Sequence, residues 1–221
     1  MISHPYRCIF IHIPKTAGTS IEYKLGHFKE LKRGVQDHST VRDLEPLSLL
    51  QTVPLLLKGE LKGLYRRARY SMNGRSRVSP KQFRSYFKFT FVRNSWSRVF
   101  SWYQNVMRDQ GHRHTLGVSD HCSFEEFLKH HLRHWLIQSQ LYWIRDFKGG
   151  IPLDFIGRYE TLERDFAHVC EVLGLKGDPT LPHLLPGNNE YYAPFYNEPM
   201  KDIVAKAYAD EIKLFQFEFG Q

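Results

Sequence analysis

Cysteine and long apolar runs are both scarce in this sequence. Its 221 residues include three cysteines, Cys8, Cys122 and Cys170, and none of them forms a CxxC pair. An odd, sparse set argues against a disulfide framework and favours a reducing compartment. The most apolar stretches, near the N-terminus and at residues 47–57, are broken by polar residues and proline. Neither is long enough for a signal-peptide core or a transmembrane helix, so we expect a cytoplasmic protein with no membrane span.

Acidic residues are also outnumbered. The chain has 31 Lys and Arg against 23 Asp and Glu, which gives a formal net charge of +8. Such a charge suits nucleic acid, an anionic membrane, or an acidic or phosphorylated small ligand. The excess is local, because residues 58–88 hold ten basic residues and one acid, whereas the rest of the chain sums to −1. With 42% hydrophobic residues the chain can fill a core, which excludes a disordered protein.

Hydrophobic patterning indicates an α/β fold. Three segments rich in β-branched and aromatic residues are each followed by an amphipathic stretch. The predicted strands are residues 7–13, 87–92 and 154–157, and the helices that follow them are residues 19–31, 96–107 and 161–173. This alternation favours a central, mostly parallel sheet flanked by helices. We expect a single domain over residues 1–221, with further helices at 123–136 and 199–217 and loops at 108–122 and 176–198.

The loop after the first strand has the composition of a phosphate site. It reads Pro14-Lys15-Thr16-Ala17-Gly18-Thr19-Ser20. In parallel sheets, ligands bind beyond the carboxyl ends of the strands, where backbone N–H groups of helix N-termini face anions. Lys15 adds a positive charge, Gly18 permits close approach of the backbone, and Thr19 and Ser20 add hydroxyl donors. The alternative is an ordinary strand–helix turn that contains a lysine and a capping threonine. The GxxxxGK[ST] loop of nucleoside triphosphatases is absent, which disfavours ATP or GTP hydrolysis.

Two motifs together resemble those of sulfotransferases that use 3′-phosphoadenosine 5′-phosphosulfate (PAPS). The loop lies within FIHIPKTAGTS, which resembles their 5′-phosphosulfate loop, particularly in the carbohydrate branch with the uronyl and heparan sulfate 2-O-enzymes. The second strand and helix read FTFVRNSWSRVFSWY, where Arg93 and Ser101 have the family's spacing for binding the ribose 3′-phosphate. A guanidinium and a hydroxyl suit that phosphate. The resemblance implies a P-loop-like domain, PAPS as donor, adenosine 3′,5′-bisphosphate (PAP) as product, and no metal.

The resemblance extends to two later segments. Residues 156–166 read IGRYETLERDF and resemble the family segment whose aromatic residue lies near the adenine, which implies that role for Tyr159. A core aromatic at the end of a strand is the open alternative for Tyr159. Residues 176–198 resemble the loop that closes over the nucleotide, but the family's basic residue is missing, and Asn188, Asn189 and Tyr192 stand in the region.

Transfer to a hydroxyl also requires a base. A histidine that is neutral near pH 7 suits this task, and His38 lies in a polar turn after the first predicted helix. The segment resembles the stretch that carries the base in the 2-O-enzymes, which implies the same role for His38. Arg42, one turn further on, is a candidate for orienting the acceptor. Lys15 is suited to neutralise charge on the leaving phosphate.

Other histidines are dense between residues 112 and 134, and His130 with His134 has the i, i+4 spacing of two metal ligands. The resembled chemistry needs no metal, so we expect none. His12, inside the first predicted strand, is expected to be structural.

These features predict an enzyme that moves a sulfuryl group from PAPS to a hydroxyl by in-line displacement, with a carbohydrate as the expected acceptor. The basic stretch at 58–88 suggests an acidic glycan held by Arg66, Arg67 and Arg69, with a solvated basic loop as the alternative. Two other functions stay open: the same donor with a lipid or small-molecule alcohol, and a basic nucleic-acid-binding protein. The sulfotransferase prediction includes no nucleic-acid partner, and the sequence does not indicate an oligomeric state.

Overall fold

The computed structural model describes residues 1–32, 34–72, 77–184 and 190–221. The chain divides into two compact units. The first unit comprises Met1–Phe91 and Leu141–Pro182, and the second comprises Val92–Gln140 and His183–Gln221. A single domain over the whole chain stays a prediction.

A four-stranded, mostly parallel sheet forms the centre of the first unit. Its strands are β1 (Ile2–Ser3), β2 (Cys8–Ile11), β3 (Phe87–Val92) and β4 (Phe155–Arg158), and they lie side by side in that order. β1 is antiparallel to β2, whereas β2 runs parallel to β3 from Cys8 opposite Phe87 to Ile11 opposite Thr90. β3 has the predicted bounds, and its last residue, Val92, opens the second unit. The predicted α/β class is confirmed, while a P-loop-like fold stays a prediction.

Helices occupy most of the remaining chain. In order they are α1 (Gly18–Lys24), α2 (Val41–Leu44), α3 (Leu49–Leu57), α4 (Leu61–Met72), α5 (Pro80–Ser85), α6 (Ser95–Arg108), α7 (Gln110–Leu116), α8 (Phe124–His131), α9 (Gln140–Ile144), α10 (Leu162–Leu173), α11 (Glu198–Ala207) and α12 (Ala209–Phe215). Short 3-10 helices lie at Trp135–Ile137, Tyr159–Thr161 and Ala193–Phe195. None of the helices in the described ranges combines the length and the apolar composition that a bilayer crossing requires.

The core of the first unit forms where α1 and α10 cover the sheet. Alternate strand residues point to one face, so Phe10 of β2 stacks on Phe89 of β3 with ring centroids 5.0 Å apart. Phe91 continues this row towards Phe166 of α10, at 6.5 Å. Gly157 of β4 lies against the Phe91 ring, since a Cβ there would be 2.5 Å from a ring carbon. The predicted strand–helix alternation therefore produces an aromatic core beneath the sheet.

The second unit is helical and is organised around buried polar groups. α6 begins after Asn94, whose side chain accepts hydrogen bonds from the backbone N–H groups of Trp96 and Ser97, and the predicted helix at 96–107 is confirmed. Glu211 of α12 is fully buried and accepts bonds from the hydroxyls of Ser95 and Ser139, both at 2.7 Å. A buried carboxylate with several donors holds helices in one arrangement.

Several predicted boundaries were wrong. The predicted loop at 108–122 contains α7, which Asp109 caps by accepting a bond from the His112 N–H at 2.8 Å. The predicted helix at 19–31 ends at Lys24, because the chain turns at Gly26 with φ of 73°. The helix predicted at 199–217 is divided at Tyr208 into α11 and α12, and the one predicted at 123–136 ends at His131.

The basic stretch at 58–88 is mostly helical where it is described. It contains all of α4 and α5, and α5 begins with a capping box formed by Ser79 and Gln82, while residues 87–88 already belong to β3. Residues 73–76, which include Arg75, lie outside the described residues, as do Asn188 and Asn189 of the predicted nucleotide-covering loop.

Candidate active site

The loop between β2 and α1 has an unusual backbone. Lys15 and Ala17 have positive φ values of 72° and 65°, a conformation that costs non-glycine residues on the order of 1–2 kcal/mol each. Alternation of left-handed residues with ordinary ones turns successive N–H groups towards one side, as in the nests that bind anions. Strain of this kind is found mainly at functional sites. The loop can therefore accept an anion through its backbone, and half-buried Lys15 adds a positive charge beside it.

The hydroxyls of the loop are engaged within the first unit. The Thr16 hydroxyl is buried and donates to the Ile13 carbonyl at 2.9 Å, which closes the loop on the end of the strand. Thr19 accepts a bond from Nε2 of Gln36 at 3.2 Å, and Ser20 donates to the Pro182 carbonyl at 2.6 Å. In this arrangement the hydroxyls hold the loop in shape, and the backbone N–H groups remain its main means of binding an anion.

A side chain at position 18 would clash with His12, so Gly18 is needed for packing as well as for the approach of any ligand. A Cβ at this position would lie 2.0 Å from Cδ2 of His12, far inside a normal contact. His12 is buried at the end of β2, and its Nδ1 lies 3.1 Å from Oε1 of Glu22 on α1. The glycine thus lets α1 begin directly over the His12 ring.

His38 packs against the same histidine. The two ring centroids are 4.2 Å apart, and Nδ1 of His38 lies 3.4 Å from the carbonyl oxygen of His12. A carbonyl can only accept, so Nδ1 carries the proton in this weak hydrogen bond and the lone pair is on Nε2. His38, the predicted base, therefore contacts His12, which lies between β2 and the loop around Lys15.

Burial controls the protonation of this cluster. It lowers the pKa of His12 to about 3, and together with the adjacent His12 it lowers the pKa of His38 to about 3. The negative charges of Glu22 and Asp37 act on the pKa of His38 in the opposite direction. Burial also raises the pKa of Glu22, whose Oε2 is buried with no hydrogen-bond partner among the described residues. Both imidazoles are therefore neutral at neutral pH.

Arg66 of α4 holds the backbone of the His38 segment. Its Nη2 donates to the His38 carbonyl at 3.1 Å, and its Nε lies 3.0 Å from Oδ2 of Asp43. Asp43 in turn forms a capping box with Thr40 at the start of α2. The remaining Nη1 donates to the Tyr142 hydroxyl. The guanidinium therefore connects α4, α2 and α9 around the segment that carries His38.

The other predicted acceptor residues differ in their surroundings. Arg42 donates from Nε to the Asp146 carbonyl at 3.3 Å, and Arg67 donates from Nε to the Glu45 carbonyl at 2.8 Å. Arg69 is exposed on α4. Arg42 and Arg67 therefore bind the backbone of their own unit, as Arg66 does, whereas Arg69 faces solvent.

In the second unit, Arg93 directly follows β3 and precedes α6. Its Nε donates to the Ser97 hydroxyl at 2.8 Å, and its backbone is fixed by Gln140, which both accepts from the Arg93 N–H and donates to its carbonyl at 2.8 Å. Ser97 and Ser101 are four residues apart on α6 and so lie on one face of that helix. Arg93, which precedes the helix, bonds to the first of these two serines, and joint phosphate binding by Arg93 and Ser101 stays a prediction.

The predicted adenine contact, Tyr159, and a tyrosine of the predicted nucleotide-covering loop, Tyr192, have contrasting settings. Tyr159 is half-buried and begins the 3-10 helix after β4. Tyr192 is buried in the second unit, where its hydroxyl accepts from the Gly220 N–H at 2.7 Å. Within the described ranges, no group of three or more His, Cys, Asp or Glu side chains could hold a metal ion.

Comparison with known proteins agrees with these features. The model of the sulfotransferase family matches residues 1–218. The chain belongs to the sulfotransferase family. It is also similar to an uncharacterized protein of Archaeoglobus fulgidus, with 35% identity over 103 residues, which are 46% of this chain and 78% of that protein. No solved structure gives a significant match.

As a sulfotransferase, the chain is a transferase enzyme. Two residues of the candidate site were not predicted from the sequence. Ser97 was missed although it lies halfway between Arg93 and Ser101 on α6. Glu22 was missed because an acidic residue in an amphipathic helix usually faces solvent. Its i, i+4 spacing from Gly18 was the available signal, since the two lie on the same face of α1.

Proposed function

We propose that this sulfotransferase transfers the sulfuryl group of PAPS to an acceptor hydroxyl, with His38 as the base. The observation that carries the proposal is the contact between His38 and His12, because His12 lies between β2 and the strained loop around Lys15. A neutral imidazole with its lone pair on Nε2 stands beside a loop suited to a phosphosulfate.

We propose donor contacts from the sequence resemblance and from the local geometry of each unit. Residues 15–20 bind the 5′-phosphosulfate, mainly through backbone N–H groups and the Lys15 ammonium. Arg93 and Ser101 bind the ribose 3′-phosphate, supported by the bond of Arg93 to Ser97, which shares a helix face with Ser101. Tyr159 contacts the adenine. None of these contacts requires a metal.

The reaction is a direct displacement at sulfur. The acceptor oxygen forms the new S–O bond while the bond between sulfur and the oxygen of the 5′-phosphate breaks. The hydroxyl proton passes to Nε2 of His38, and Lys15 stabilises the charge that develops on the leaving phosphate oxygen. The products are a sulfate ester and PAP. Glu22 and Asp37 favour the imidazolium that forms.

The acceptor is proposed to be a carbohydrate, on the resemblance to the carbohydrate branch. An acidic glycan would use Arg69, because Arg66 and Arg67 donate to carbonyl groups of their own unit. Replacement of Arg69 by Gln should then raise KM for an acidic acceptor and leave KM for a neutral one unchanged. Equal effects on both acceptors would remove the acidic-glycan proposal and leave the transfer reaction in place.

The test is transfer of labelled sulfur from PAPS to a panel of acidic and neutral glycans, lipids and small alcohols. We expect product with the wild-type chain, and a loss of about 100-fold or more in His38→Ala and Lys15→Ala. His38→Ala should bind PAP as the wild type does, because His38 acts on the acceptor. His168→Ala, a histidine on α10, is the matched control. Full activity of His38→Ala would exclude it as the base, and transfer to a lipid alone would replace the carbohydrate.

A further inference from the structure

Helix α3 exposes an apolar stripe to solvent. Leu50, Val53 and Leu57 follow one another at spacings of three and four residues and so lie on one face of the helix. Leu50 is 88% exposed and Leu57 is 84% exposed, whereas Leu55 on the inner face is buried. A single exposed leucine is ordinary, but a stripe of them along one helix marks an interaction surface.

The stripe continues across the turn into α4. Leu61 is 60% exposed and Tyr65, one turn later, is 69% exposed. Three residues, 58–60, connect the two helices, so Leu57 and Leu61 stand on either side of one short turn. An adjacent side of α4 carries Arg66, which bonds to Asp43 and to the His38 carbonyl. On α4, Arg66 therefore contacts the rest of the first unit, while Leu61 and Tyr65 face solvent.

Two lysines flank this apolar stripe. Lys58 and Lys62 are exposed and lie next to Leu57 and Leu61. The turn between the helices also holds Glu60, so these three charged residues sum to +1. Exposed leucines and a tyrosine with lysines at their edge are the composition of helices that lie in a membrane interface.

We propose that this α3–α4 surface, formed by Leu50, Val53, Leu57, Leu61 and Tyr65 with Lys58 and Lys62, binds the surface of an anionic lipid bilayer. The leucines enter the boundary between headgroups and acyl chains, and the cations contact anionic headgroups. The positive charge of Lys58 and Lys62 favours an anionic bilayer over a second copy of the chain as the partner. A symmetric dimer through the same face would bring Lys58 and Lys62 towards their own copies.

Sedimentation with vesicles tests the surface without using donor or acceptor, so its outcome is independent of the proposed reaction. The full chain is mixed with phosphatidylcholine vesicles with and without phosphatidylglycerol. Binding is expected to the anionic vesicles and to weaken as salt is added. Leu57→Asp should lower the partition coefficient by about tenfold or more. Lys58→Gln and Lys62→Gln should each lower it by about fivefold.

Matched substitutions on the exposed side of α12 serve as controls. Leu214→Asp and Lys213→Gln introduce the same chemistry at exposed residues that are not part of the α3–α4 surface, and they should leave binding unchanged. Because Leu57 is exposed, Leu57→Asp should keep the wild-type unfolding midpoint, which circular dichroism measures. The proposal is overturned by no binding to anionic vesicles, or by equal losses in Leu57→Asp and Leu214→Asp. It is also overturned if Leu57→Asp abolishes a dimer seen by light scattering while vesicles bind neither protein.

Discussion

Replacement of Arg66 should lower turnover without weakening acceptor binding. The guanidinium donates to the His38 carbonyl at 3.1 Å, lies 3.0 Å from the Asp43 carboxylate, and donates to the Tyr142 hydroxyl. Lys has a single ammonium and cannot make these three contacts in one plane. Arg66→Lys therefore keeps the charge and loses the geometry that holds the His38 segment.

The stability cost follows from these contacts. A hydrogen bond to a charged group contributes about 1.5–3 kcal/mol and one between neutral partners about 0.5–1.5 kcal/mol. The Asp43 side chain is 3% exposed but that of Arg66 is 38% exposed, so water screens part of the ion pair. We expect Arg66→Ala to lower the free energy of unfolding by about 2–3 kcal/mol, and Arg66→Lys by about 1–2 kcal/mol. Urea unfolding measures both values.

The effects on kcat and KM distinguish a residue that positions His38 from one that binds the acceptor. A displacement of a catalytic group by about 1 Å costs on the order of 100-fold in rate. If His38 is the base, kcat of Arg66→Lys should therefore fall by about tenfold to 100-fold while KM for the acceptor changes little. Arg69→Lys, on the exposed face of the same helix, is the control for kcat. If Arg66→Lys keeps the wild-type kcat and raises KM for an acidic acceptor, the reasoning is refuted and Arg66 binds the acceptor.

Two further predictions concern the histidine cluster. Gly18→Ala should abolish activity and lower stability, because the new Cβ would lie 2.0 Å from the His12 ring; normal thermal unfolding and turnover would contradict this contact. Burial lowers the pKa of folded His38 to about 3 from an unfolded value of 6.5, so the unfolded chain binds more protons between these values. Stability should therefore fall as the pH drops below about 6.5, and His38→Asn should make the decline shallower, as urea unfolding at several pH values would record; an unchanged slope would contradict the burial of His38.

Local sequence patterns predicted the strands and helices that flank the candidate binding loops. The run of aromatic and β-branched residues predicted β3 at Phe87–Val92, and the amphipathic stretch after it predicted α6 to within one residue at each end. Phe166, Val169 and Cys170 point into the core because their spacing follows the helix period. These features depend on neighbours within a few residues, so one sequence is enough to find them.

Long-range contacts explain what the sequence could not predict. Arg66 was an acceptor candidate on charge alone, but it bonds to Tyr142, 76 residues away, and such a partner leaves no local pattern. We predicted that Gly18 allows a phosphate to approach the backbone closely, whereas the group that a side chain at this position would meet first is the His12 ring. α7 was missed because its His-rich sequence lacks an apolar stripe, although Asp109 and Gly117 mark its two ends.

Binding of PAP and AMP tests the central claim most directly, since the 3′-phosphate distinguishes this donor from ordinary adenine nucleotides. By isothermal titration, wild-type chain should bind PAP more tightly than AMP. Arg93→Ala should weaken PAP binding by about tenfold or more and leave AMP binding unchanged. Arg133→Ala, an exposed arginine of the same unit, is the control and should bind both nucleotides as the wild type does. Equal affinities of the wild-type chain for PAP and AMP would contradict the account.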